Sequence, residues 1–99
     1  MTTIQDIISF SKPHPNSVVN ARQTVMTDGK ILLSIVGGAQ GLYGDFENDF
    51  ELAIMEVGER NFVTKYYVPE ATDDVLPYQS AEEVEDLVNR IFPKGFQVR

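Results

Sequence analysis

The stretch Asn48-Asp-Phe-Glu-Leu-Ala-Ile-Met-Glu-Val57 decides the fold. Phe50, Leu52 and Ile54 fall on alternate positions, with Phe46 before them, and Glu47, Asp49 and Glu51 fall between. Successive side chains of a strand point to opposite faces, so this pattern predicts a strand with one apolar and one acidic face. Upstream, Lys30 to Val36 is an apolar, β-rich run that reads as a central strand. It is joined through Asp28-Gly29, a strong two-residue hairpin signal, to a strand over Ser17 to Thr27 containing Val18, Val19, Val25 and Met26. Downstream, Gly58-Glu-Arg-Asn61 reads as a turn into a fourth strand, Phe62 to Val68. There Phe62, Thr64, Tyr66 and Val68 alternate with Val63, Lys65 and Tyr67.

A helix comes next. Ser80-Ala-Glu-Glu83 is a capping box with acids in the first turn, where the helix dipole favours them. Ala81, Val84, Leu87, Val88 and Ile91 make an apolar stripe, and Pro93 ends the helix. A shorter helix at the N-terminus is capped by Thr2 or Thr3 with Gln5 or Asp6, and it carries Ile4, Ile7 and Ile8 on one face. A helix with one apolar stripe needs a surface to cover, and a meander with one apolar face supplies it. The expectation is an α+β fold: a four-stranded antiparallel meander packed by a C-terminal helix, with a short N-terminal helix. The 99 residues divide as one domain into 1–16 (N-terminal helix and a proline-containing linker), 17–68 (meander) and 79–92 (C-terminal helix).

Four of the seven glycines, Gly37, Gly38, Gly41 and Gly44, lie within eight residues between the second and third strands. Such density means unusual backbone conformations or a close approach, and at least one positive φ is expected. A phosphate loop would lead into a helix N-terminus, yet this one leads into an acidic strand, so a long hairpin loop or bulge is the better reading. Asp45, Glu47, Asp49, Glu51 and Glu56 match the spacing of a calcium loop, but Phe50 stands where that loop needs glycine and no helices flank it. No metal or other cofactor is expected. The single histidine, His14, lies between two prolines in a loop without a nucleophile elbow elsewhere, and there is no cysteine. Nothing in the chain supplies a catalytic set, and an enzyme is not expected.

Charge is unevenly spread. Asp45 to Asp86 holds 13 of the 15 acids against only Arg60 and Lys65, a net −11, while the remaining six bases and two acids leave +4 elsewhere. Most of the surface should repel nucleic acid and anionic membranes and attract a basic partner. The N-terminus has no basic region or long apolar run of signal-peptide type, and no stretch approaches the roughly 20 apolar residues of a transmembrane helix, so a cytoplasmic protein is expected. The candidate interaction surface is Tyr43, Asp45, Glu47, Asp49 and Glu51, with Tyr43 expected to be exposed in the glycine loop.

Leu33-Ser-Ile-Val-Gly-Gly38, Gly41-Leu-Tyr-Gly-Asp45, Phe50-Glu-Leu-Ala-Ile54 and Asp74-Val-Leu-Pro-Tyr-Gln-Ser-Ala-Glu-Glu-Val84 resemble a recurring pattern in small uncharacterised accessory proteins of tailed bacteriophages. The likeness covers residues 31 to 92. It implies provenance, a viral accessory protein acting in the host cytoplasm, and assigns no functional residue. The resemblance implies no established activity; from the −11 window and the absence of catalytic parts, the function expected is an acidic module that binds and occludes a basic surface of a host protein, including as a nucleic-acid mimic. A homo-oligomeric structural or assembly protein, and a small-molecule binder using the glycine loop, are the alternatives.

Overall fold

The computed structural model describes residues 1–14, 21–38, 44–59 and 61–99. The elements run α1 (Ile4–Ser9), β1 (Lys12–Pro13), β2 (Arg22–Thr27), β3 (Ile31–Gly37), β4 (Asp49–Glu56), α2 (Thr64–Tyr67), β5 (Val75–Ser80), α3 (Ala81–Ile91) and β6 (Gln97–Val98). The architecture is α+β. The strands form one antiparallel sheet in the order β1-β2-β3-β4-β5, with β6 beside β1 on the outer edge of β2.

The first and last helices, α1 and α3, form as their sequences dictate. Thr3 caps α1 and Ser80 caps α3, each in a complete capping box with Asp6 and Glu83 respectively. The two helices are tied side by side: the Asn89 side chain accepts from the Thr2 N–H at 3.1 Å and donates to the Thr2 carbonyl at 3.0 Å. Together they cover one face of the sheet. Ile4 and Ile7 from α1, and Val84, Leu87, Val88 and Ile91 from α3, close over Met26, Leu33, Ile35, Phe50, Leu52 and Ile54. Thr24 is buried among them without penalty, because its hydroxyl donates to the Ile7 carbonyl at 2.8 Å. The opposite face carries Val25, Leu32, Ser34, Glu51, Ala53 and Met55, all half-buried.

The fourth strand differs from expectation. Phe62 makes only an isolated bridge to Met55, and the chain then coils into α2 rather than continuing along β4. Thr64 is the reason: its hydroxyl accepts the Ile54 N–H at 3.0 Å and donates to the Asp74 carbonyl at 2.6 Å. One side chain thus does the pairing that a strand backbone would have done. Thr64 and Val68 are buried one helical turn apart, while Tyr66 between them is 79% exposed. Alternation would have buried all three.

The strand that flanks β4 is instead β5. Leu76 pairs with Leu52 and Gln79 with Phe50, so Pro77 and Tyr78 oppose Glu51 alone in a bulge. Proline is tolerated there because β5 is an edge strand.

Two smaller differences have similar causes. The Asp28-Gly29 hairpin is not a two-residue turn, since the last pair is Thr27 with Leu32. The Asp28 carboxylate accepts the N–H groups of Lys30 and Ile31, and the Thr27 hydroxyl accepts from Gly29 and donates to Ile31. These bonds stabilise a wider turn. The segment after α1 is a short edge strand rather than only a linker, with Lys12 and Pro13 paired to Gln23 and Arg22. Ser17 to Val19, at the start of the expected first strand, lie outside the described residues.

Candidate interaction surface

The glycine loop leaves β3 and re-enters at β4 through a tight neck. The Gly38 N–H donates to the Gly44 carbonyl at 3.0 Å, and Gly38 has φ +93°, the positive φ expected of this loop. The other two described glycines are required by close approach. A Cβ on Gly37 would lie 2.7 Å from the Phe46 nitrogen, and one on Gly44 would lie 2.8 Å from both the Asp49 carbonyl oxygen and the Phe50 Cα. What approaches these glycines is the protein's own backbone. Gly44→Ala is therefore expected to destabilise by about 1–3 kcal/mol through overpacking, read from the urea midpoint. An unchanged midpoint would mean that the neck is not closed in this way.

Asp45 organises the turn that leads into β4. Its Oδ1 accepts the N–H groups of Glu47, Asn48 and Asp49 at 2.8, 2.7 and 3.1 Å, and its Oδ2 accepts the Asn48 side-chain amide at 3.4 Å. In return the Asp45 N–H donates to Asp49 Oδ1 at 2.8 Å. Phe46 is driven to φ +62° by this turn, and its ring packs edge-on against Phe50 with centroids 5.2 Å apart.

The donors of Asn48, Asp49 and Glu47 hold the Asp45 carboxyl well below the usual carboxylate range. A depressed folded-state pKa contributes stability that is present above the unfolded value, near pH 4, and is lost as pH falls through the folded one. The protection of the Glu47, Asn48 and Asp49 amides, their exchange relative to an unstructured chain at the same pH, is thus expected to hold down to about pH 4 and to fall below it. In Asp45→Asn that acid-dependent step should vanish from the loop. If wild type and variant show the same pH course, Asp45 does not hold the turn.

The expected surface is only partly brought together. The strand begins at Asp49, so Glu47 belongs to the turn, where it is exposed, rather than to one acidic strand face with Asp49 and Glu51. Asp49 is half-buried and engaged with the loop backbone, and Glu51 is half-buried on the sheet face away from the helices. Tyr43 lies outside the described residues. Among those described, no group of three or more acidic or histidine side chains is arranged to hold a metal ion. No described helix is long and apolar enough to cross a membrane.

Sequence reasoning missed a second acidic region. A groove between β5 and α3 has Val68, Leu76 and Leu87 along its floor, with Glu70, Glu83 and Asp86 at its sides and Arg90 as its lining cation. The signal was present in the four acids of Glu82 to Asp86, but β5, the other wall, has no strand-like alternation to announce it. Among the described residues the exposed aromatics are Phe62, Tyr66 and Tyr78.

No protein-family model, curated protein or solved structure matches the chain.

Proposed function

We propose that this protein is an acidic binding module that covers a basic surface of another protein, as a small accessory protein acting on a host would. One observation carries the reading: of the thirteen acids in the −11 window from Asp45 to Asp86 none belongs to the buried set, nine being exposed and Asp49, Glu51, Asp74 and Glu85 half-buried. Many of these acids have structural duties, as Asp45 and Glu83 do, but such duties leave their charge in place. Complementary charge raises association rates more than it raises affinity, and salt screens it.

The test uses immobilised protein to capture partners at low salt, followed by two charge-neutralising triples. One is Glu47→Gln, Asp49→Asn, Glu51→Gln, in which the amide oxygen introduced at position 49 keeps an acceptor for the turn. The other is Glu70→Gln, Glu82→Gln, Asp86→Asn beside the α3 groove. At least one triple is expected to slow association with the captured protein about tenfold at low salt without changing thermal stability. Wild-type rates in both would reduce the acidic window to a solubility device.

A further inference from the structure

A cleft of about 390 Å³ opens where β3 begins and β4 ends, beside α2, at the opposite end of β4 from the Asp45 turn. Ile31, Val57 and Val63 give it an apolar floor, and Tyr66, Tyr67 and Glu56 line its sides. The two rings stand nearly at right angles, 78° between planes with centroids 5.1 Å apart, and so form a corner. Tyr66 is held there at the surface, 79% exposed, on a helix whose own anchor is the buried Thr64. Glu56 is exposed at the end of β4, its backbone fixed by the bond from its N–H to the Asn61 carbonyl at 3.1 Å.

Aromatic faces are negative and attract cations, more strongly when a carboxylate shares the site. A concave corner of two rings suits a compact ammonium, whereas a planar guanidinium stacks best on one flat face. The apolar floor suits the methylenes behind the ammonium. Lys30 also lines the cleft, but it borders a second groove as well, which holds Asp28.

We propose that this cleft binds a lysine side chain presented by a protein partner, with its ammonium in the corner of Tyr66, Tyr67 and Glu56 and its methylenes over Ile31, Val57 and Val63. The proposal rests on the reading of the protein as a module for a basic partner, and adds a pocket for one side chain of that partner.

The experiment titrates the full chain with Nα-acetyl-lysine-N-methylamide while the Tyr66 and Tyr67 ring signals are followed by NMR. Saturable shifts are expected, absent with the norleucine analogue, which lacks the ammonium, and weaker with the arginine analogue. Tyr66→Ala should weaken binding about fivefold, and Glu56→Gln about threefold. Lys30→Met removes a competing charge and should tighten binding about twofold. All three residues are exposed, so the variants are expected to melt with the wild type.

No saturable shift, equal binding of the norleucine analogue, tighter binding of arginine, or an unchanged affinity in Glu56→Gln would each overturn the assignment. Failure here with salt-sensitive partner association intact removes only the cleft. Probe binding with salt-insensitive partner association removes only the acidic module.

Discussion

Phe50→Ala is expected to lower stability by about 3–5 kcal/mol, among the largest effects that a single substitution can have in this chain. Phe50 has no exposed surface and lies at the start of β4, where the sheet, the Phe46 turn and the Gly44 neck meet. Truncating it removes the transfer energy of a ring and leaves a cavity that a closed neck and a rigid strand cannot fill. A domain of this size has only about 5–15 kcal/mol in total, so the variant loses a large share of its stability and unfolds at a much lower urea concentration. Urea unfolding followed by far-UV circular dichroism reads this directly. A loss below about 1 kcal/mol would mean that Phe50 sits in a site able to collapse, contrary to the packing described.

Leu87→Ala is expected to cost about 2–5 kcal/mol. Leu87 belongs to the α3 stripe and is buried in the core cluster, and it also forms part of the floor of the acidic groove. Because alanine is an excellent helix former, the substitution does not weaken α3 as a helix, and the loss isolates the docking of α3 on the sheet. A melting temperature within a degree of the wild type would show that α3 is not held against β4 and β5.

Much of this fold is legible in the residues alone. The two capping boxes fix where the helices start, because an N-cap hydroxyl and an N3 carboxylate are local chemistry that needs no tertiary partner. The alternation of Phe50, Leu52 and Ile54 places β4, since one buried face imposes a period of two. What escapes a sequence reading is decided by neighbours. Phe62 to Val68 alternates like a strand, but Thr64 and Val68 are also one helical turn apart, and only the bonds from Thr64 to Ile54 and Asp74 choose between the two. Val75 to Ser80 has a proline and no regular alternation, so its pairing with β4 through a bulge leaves little trace in the residues themselves. β6 spans two residues, seated by its pairing to Met26 and Thr27 and preceded by Phe96, which packs against Phe10 and Phe92.

The candidate surface is legible as charge and not as geometry. Asp45, Asn48 and Asp49 carry the signature of a side-chain-stabilised turn, an aspartate followed within a few residues by backbone donors it can reach. Extending the strand's alternation back to Glu47 conceals it.

The association rate with the captured partner, measured in the wild type from low to physiological ionic strength, tests the acidic module most directly. Steered association should fall about tenfold or more across that range, and the two charge-neutralised triples should converge on the wild-type rate at the high-salt end. A wild-type rate that does not change with salt would contradict the proposal that the acids between Asp45 and Asp86 recruit a basic partner.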